Sequence, residues 1–196
     1  MSTTQSRRTG RRVAAVSVAA VTALTIVATT AHRGERGAAV ALASDDAIAI
    51  AQGVSVTPAS GWTVGNRGPN WVALNNADTT AQLRITVKPA GGADAAALLQ
   101  ADMDQSTGGA AAILTDVNRL NPPDTKPLPG ANFQQEASVN YTATVVNPQG
   151  PIPVIGTFTE LLNTSTGRSA FIDFRQDSSA TTQAAGDGGM MIGSME

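Results

Sequence analysis

The chain has 196 residues, 42% of them hydrophobic and 14% charged, and it contains no cysteine. This composition predicts a globular domain with room for one further segment, and it excludes disulfides, thiolate metal ligands, cysteine nucleophiles and a lipidated cysteine. Six arginines and one glutamate give residues 1–36 a net charge of +5, whereas seven basic and 14 acidic groups give residues 37–196 a net of −7, which argues against nucleic-acid binding because phosphate backbones repel an acidic body.

The amino terminus is a basic segment followed by an uncharged run. Residues 1–12 carry four arginines, and residues 13–31 contain no charged side chain. As a helix this run would extend about 28 Å, close to the hydrocarbon thickness of a bilayer, and the arginines before it predict a cytoplasmic amino terminus. The length favours a retained transmembrane anchor over a signal peptide, whereas the many alanines and threonines weaken that interpretation.

A cleaved signal followed by secretion is the alternative. Ala41-Leu42-Ala43 fits the small-x-small rule, but His32, Arg33 and Arg36 lie between it and the apolar run; Thr29-Thr30-Ala31 is nearer and fits loosely. The sequence therefore predicts a single-pass membrane protein with its carboxyl-terminal domain outside the membrane. Its expected parts are a cytoplasmic segment, an anchor or signal, a linker and an extracytoplasmic α+β domain, at residues 1–12, 13–31, 32–52 and 53–196.

Apolar and polar residues begin to alternate near residue 54. In Ala81–Lys88, for example, Leu83, Ile85 and Val87 fall on one face, which is typical of a half-buried strand. Proline, glycine and asparagine separate this strand from earlier ones. The first four predicted strand segments are therefore residues 53–58, 62–64, 71–76 and 81–88.

A helix is predicted next. Asp94 is a good N-cap, the residues of one helical stripe are apolar, and Gly108 and Gly109 end the pattern. The stripe consists of Ala95, Leu98, Leu99 and Met103. The following aspartates, Asp102 and Asp104, begin like a calcium loop, but Thr107 stands in place of the required glycine and Ile113 in place of the glutamate, so we expect a solvated helix face.

The second half of the chain predicts more strands. Residues 112–120 form one, residues 121–130 form a long proline-rich turn, and three strands with short connections follow as an antiparallel meander. The meander strands are residues 137–145, 152–162 and 169–175. Glycines weaken a helix over the tail, although Met190, Met191, Ile192 and Met195 are apolar enough to pack on the sheet. The predicted fold class is α+β, with an antiparallel sheet of about six to seven strands and helices packed on it.

The order of these elements resembles the PsbP-like fold, over roughly residues 50–195. The residues that carry the resemblance are Gly53–Pro58 followed by Gly61-Trp62, the helix capped by Asp94, and the paired strands that end in Thr166–Phe171. An extrinsic photosystem subunit, a Ran-binding factor and many exported or membrane-anchored actinobacterial proteins share this fold. The composition, with eleven arginines and two lysines, is similar to that of the actinobacterial, mycobacterial-type members. The resemblance implies an accessory or binding subunit, since none of these motifs is catalytic.

Six residues are candidates for a ligand or partner patch. Asp173 and Arg175 on one strand and Glu160 across the hairpin are expected to form an ion cluster, which would serve either acid–base chemistry or ordinary cross-strand pairing. Trp62 and Trp71 would line a ligand pocket or pack in the core. Phe171 faces away from the apolar set of its strand, so a second helix covers it or it belongs to a binding patch.

These patterns name no catalytic motif, cofactor or metal site. The lone histidine, His32, lies beside the apolar run, which excludes a histidine-based triad or metal site in the domain. The favoured hypothesis is a non-catalytic binding or accessory module of the cell envelope that docks to an envelope protein or a small ligand. The alternatives are a carboxylate-dependent hydrolase or transferase that uses Asp173 and Glu160, and a structural tether that docks through its methionine-rich tail.

Overall fold

The computed structural model describes residues 46–108 and 113–195, which form an α+β fold of ten strands and two helices. The strands are β1 (Ile48–Ala51), β2 (Val54–Val56), β3 (Thr63–Arg67), β4 (Trp71–Asn75), β5 (Ala81–Pro89), β6 (Leu114–Arg119), β7 (Asp124–Pro127), β8 (Gln135–Val145), β9 (Ile152–Asn163) and β10 (Arg168–Asp177). The helices are α1 (Ala95–Thr107) and α2 (Thr182–Gly193).

Eight of these strands form one antiparallel sheet. Its order is β3-β4-β5-β10-β9-β8-β6, and β7 pairs with the other end of β8 beside β6. β1 and β2 form a separate hairpin. The predicted meander is confirmed as β8, β9 and β10. Strand β5 pairs with the other edge of β10.

The two helices cover opposite faces of the sheet. α1 packs on β8 and β9, whereas α2 packs on β10. Because side chains alternate along a strand, β10 supplies both cores: Ala170, Ile172 and Phe174 lie in the core under α2, and Phe171 packs against the core under α1. The β1–β2 hairpin closes the α2-side core through Ile50.

The predicted helix and its cap are confirmed in α1. The Asp94 carboxylate accepts a hydrogen bond from the backbone N–H of Ala96 at 2.8 Å, which satisfies one of the free donors of the first turn. The helix ends at Gly108, as expected. The four predicted stripe residues are buried, and Asp102 is buried with them, so the expectation of a solvated face is wrong for Asp102 and right for exposed Asp104.

The tail packs on its own sheet. Met191 and Met195 are buried in the α2-side core and Ile192 packs against it, as predicted, whereas Met190 is 64% exposed. A tether that docks through this tail would need these side chains free, and most of them are not. The tail is helical despite its glycines. One of them, Gly188, faces the sheet at a position where an added Cβ would lie 2.7 Å from the ring of Phe174.

Two segments were assigned wrongly from the sequence. Residues 48–51 belong to the folded domain as β1, so the predicted linker over residues 32–52 is too long by at least this strand. Residues 124–127, expected within a turn, pair with β8 as β7. This raises the main sheet to eight strands where six to seven were expected.

The predicted anchor or signal over residues 13–31 lies outside the described residues, as do the basic segment and most of the predicted linker. Over residues 46–108 and 113–195, no helix has the length and apolar character needed to cross a membrane.

Adjacent glycines of α2 provide a matched stability test. Gly188→Ala should destabilise the chain by about 1–3 kcal/mol, because the new methyl group overlaps the Phe174 ring. Gly189→Ala meets nothing within 4 Å and should stabilise the helix by up to about 1 kcal/mol. Urea unfolding of both variants checks the prediction, and equal effects would show that α2 does not approach the sheet closely.

Candidate functional site

A pocket opens on the side of the sheet that α1 covers incompletely. It lies between α1 and strands β5 and β10, and its volume is about 490 Å³. We call it the α1-side pocket. Its walls carry charged, polar and apolar side chains together, from Asn70, Arg84, Thr86, Lys88, Asp102, Gln105, Ser106, Ile113, Leu114, Phe171 and Asp173.

Asp173 lies at the edge of this pocket, and both of its oxygens are occupied. The Tyr141 hydroxyl donates to Oδ1 at 2.5 Å, and Arg175 Nη1 donates to Oδ2 at 3.3 Å. Arg175 is itself fixed by Gln82, whose Oε1 accepts from Nη2 at 2.5 Å. Burial raises the pKa of Asp173, and the Arg175 charge and the Tyr141 hydrogen bond oppose that shift.

Tyr141 reaches Asp173 because the strand between them carries a glycine. Gly156 lies opposite Tyr141 in the pairing of β8 with β9, and an added Cβ there would lie 2.6 Å from the Tyr141 ring. The ring also stacks on Phe158 at a centroid distance of 4.1 Å. Burial and the neighbouring Asp173 carboxylate raise the pKa of Tyr141, so its hydroxyl stays protonated and acts as a donor.

A second polar cluster lies beneath the pocket. Lys88 of β5 forms a salt bridge with Asp102 Oδ1 of α1. Glu160 of β9 is fully buried close to Asp102 of α1 and Ser169 of β10. Burial raises the pKa of Glu160 to about 8; the Asp102 carboxylate adds to this shift, whereas Ser169 and Lys88 oppose it.

The unpartnered oxygens of this cluster fit a neutral Glu160, as its raised pKa implies. Four buried oxygens of this cluster have no hydrogen-bond partner within the described residues. They are Asp102 Oδ2, both Glu160 oxygens and Ser169 Oγ. If Glu160 is protonated, its hydroxyl can turn toward Asp102 Oδ2, for which no other donor is present among the described residues. An ionised Glu160 would instead place a second negative charge beside the Asp102 carboxylate in a buried position.

Arg84 differs from the other cations of this face. Its guanidinium carbon lies 4.3 Å from the centroid of the Trp71 ring, a cation–π contact. Across residues 46–108 and 113–195 its side chain forms no hydrogen bond or salt bridge, although its charge lowers the pKa of Asp173 opposite it in the sheet.

Five of the six predicted site residues share this side of the sheet. Trp71, Phe171 and Asp173 border or line the pocket, Arg175 holds Asp173, and Glu160 lies below. The register differs from the expected ion cluster: Glu160 lies opposite Phe171, and Phe158 lies opposite Asp173. The partner of Glu160 is therefore Asp102.

Trp62 does not belong to the site. It is buried in the α2-side core, where its Nε1 donates to Asp187 Oδ2 at 2.9 Å and its ring lies 6.5 Å from that of Phe174. The core-packing alternative is correct for this tryptophan, and the two tryptophans do not line one pocket.

Sequence reasoning missed four polar residues of the site. They are Arg84, Lys88, Asp102 and Tyr141. A signal existed for Asp102, which lies seven residues after Ala95 and so falls on the buried helical stripe. In the described part of the chain, no three acidic or histidine side chains come close enough to hold a metal ion.

Comparisons with known proteins concern the fold. No family model and no curated protein matches the sequence. The solution structure of cyanobacterial PsbP from Synechocystis sp. PCC 6803 is similar with a TM-score of 0.51 and 11% identity, covering 82% of this chain and 96% of that one. The Ran-binding protein Mog1p of Saccharomyces cerevisiae gives a TM-score of 0.45 and 9% identity, covering 72% of this chain and 86% of that one. The expected PsbP-like fold is supported.

The proton on Glu160 predicts a stability that falls with pH. Between pH 4.5 and about 8 the folded chain keeps a proton that the unfolded chain has released, so the free energy of unfolding falls by roughly 1 kcal/mol per pH unit through this group. Glu160→Gln keeps a donor for Asp102 and an acceptor for Ser169 without a charge. Its stability advantage over the wild type should therefore grow from pH 4.5 to 8, as measured by urea unfolding.

The control is Glu136→Gln, which removes the same charge from the ion pair with exposed Lys126. Its stability difference from the wild type should change little over this window. A difference for Glu160→Gln that stays constant with pH would contradict the assignment of the proton.

Proposed function

We propose that this domain is a non-catalytic binding or accessory module of the cell envelope that holds a small ligand in the α1-side pocket. The pocket is the observation that carries the proposal. Its volume of about 490 Å³ lies in the range of small-molecule sites, and it combines apolar walls with a few polar groups in fixed positions. The likeness to cyanobacterial PsbP supports the fold on which the pocket is built.

The envelope location is part of the same proposal. Residues 13–31 attach the chain to the membrane, or direct its secretion if they are cleaved, and the arginines before them keep the amino terminus inside. The acidic domain then lies outside the membrane, where it meets an envelope protein or a small ligand. The charge of the domain makes nucleic acid a poor partner.

Carboxylate catalysis is the second candidate, and the pairing of Asp102 with Glu160 favours it. However, Glu160 has no exposed surface and does not line the pocket, so a reacting molecule would meet Asp102 alone. Asp173 lines the pocket, but Tyr141 and Arg175 occupy its two oxygens. Binding is therefore the function that this geometry supports best.

Filling the pocket should abolish ligand binding. Ser106 lies on the pocket wall of α1, so Ser106→Trp places an indole in the cavity. We expect native mass spectrometry of the wild-type chain, purified from the membrane fraction of its own cells, to show a bound small molecule that Ser106→Trp lacks. Small aromatic fragments added to the purified chain should likewise raise the melting temperature of the wild type but not of this variant.

Ala101→Trp is the matched control, because Ala101 is exposed on the same helix and does not line the pocket. It should bind like the wild type. Binding that persists in Ser106→Trp, or the absence of any bound molecule and any fragment binding in the wild type, would refute the proposal.

The location is tested by protease treatment of intact cells. Protease added outside should degrade the domain, and an alkaline phosphatase fused after residue 196 should be active. Mass spectrometry of the mature chain then separates the two routes: an anchor leaves residue 1 in place, whereas cleavage starts the chain at residue 32 or 44. A protected domain with an inactive fusion would place it in the cytoplasm.

A further inference from the structure

The charges that line the α1-side pocket are not equally available to a ligand. Lys88 is committed to Asp102, and Arg175, just outside the pocket, is committed to Asp173 and Gln82. Arg84, by contrast, makes no polar contact with any described residue and stacks on Trp71. A guanidinium has five N–H donors in a planar fork, and these donors are left for something in the pocket.

The carboxylates of the pocket are already paired with cations. Both oxygens of Asp173 accept hydrogen bonds, from Tyr141 and Arg175. Asp102 pairs with Lys88 through Oδ1, and its Oδ2 is buried where a ligand in the pocket does not reach it. A cationic ligand would therefore meet carboxylates already paired with Lys88 and Arg175, whereas an anionic group would find the donors of Arg84.

The position of Arg84 is prepared for such a ligand. The cation–π contact with Trp71 holds the guanidinium against the ring, which reduces the entropy lost when it binds an anion. The Phe171 ring and the side chains of Ile113 and Leu114 line the same pocket, and Phe171 is itself held by stacking on Phe158 at 5.6 Å. An apolar ligand body has a surface to pack against within reach of the charge.

We propose that the α1-side pocket binds a small organic anion, whose carboxylate or phosphate pairs with Arg84 and whose apolar part packs against Phe171. This inference rests on the proposed function and specifies its ligand class. The ligand carries one compact anionic group rather than many, since the net negative charge of the domain repels a polyanion.

The test compares four probes that share a phenyl ring: benzoate, phenyl phosphate, benzylamine and benzyl alcohol. Titration calorimetry on the full-length chain should show that both anions bind, and that the amine and the alcohol bind at least about tenfold more weakly, since a charge-assisted hydrogen bond contributes that much. Benzoate against phenyl phosphate distinguishes a carboxylate from a phosphate ligand.

Arg84→Gln should weaken binding of the anions at least about tenfold, whereas Arg67→Gln removes the same charge outside the pocket and should not. Circular dichroism checks that both variants fold, which Arg84→Gln should do because it breaks no hydrogen bond between described residues. The anions should also change the tryptophan fluorescence, and Trp71→Phe should remove that change because Trp62 lies on the other side of the sheet.

The outcomes separate this inference from the function on which it rests. Tighter binding of benzylamine or benzyl alcohol, blocked by Ser106→Trp, would overturn the anion assignment and leave a binding pocket. Anion binding that survives Arg84→Gln would also overturn it. No binding of any of the four probes, together with no bound molecule in the native chain, would instead refute the binding function.

Discussion

No residue of strand β10 is exposed, and much of the structure follows from this constraint. It lies in the middle of a sheet that carries a helix on each face. On the α2 side it contributes apolar residues, but on the other side it buries Asp173 and most of Arg175. A buried charge is tolerated when it has hydrogen-bond partners, which Tyr141 supplies from β8 across the intervening strand and Gln82 supplies from the neighbouring β5.

The elements with their own sequence pattern could be predicted, and those defined by a partner could not. Alternation revealed β5 and the meander, and the Asp94 cap with its apolar stripe revealed α1, because these signals are local. β1 and β7 are four residues long, and their existence depends on β2 and β8. The role of Gly188 could not be predicted for the same reason. Its low helix propensity is a local property, whereas its close contact with the Phe174 ring depends on tertiary packing.

The sequence indicated on which face of the sheet the site residues lie, but not which of them are in contact. Alternation along β9 and β10 places Glu160 and Asp173 on the same side of the sheet. Whether they face each other depends on the register of the two strands. In the observed register Glu160 lies opposite Phe171, two residues from Asp173. Asp102 became the partner of Glu160 because α1 turns that part of its surface inward, and a sequence does not reveal how a helix is rotated on its sheet. Trp62 precedes β3 after a tight turn, where strand parity does not apply.

The two polar clusters beside the pocket differ in the charge state of their central carboxyl group. The carboxylate of Asp173 accepts hydrogen bonds from Tyr141 and Arg175, whereas burial beside Asp102 favours the neutral form of Glu160. Such buried groups add little net stability compared with apolar residues of similar size; what they supply is a fixed arrangement of side chains from α1, β5 and β10. A rigid wall lowers the entropy lost when a ligand is bound. Because Lys88 and Arg175 are paired with carboxylates, Arg84 remains as the pocket charge that the fold positions without a polar partner among the described residues.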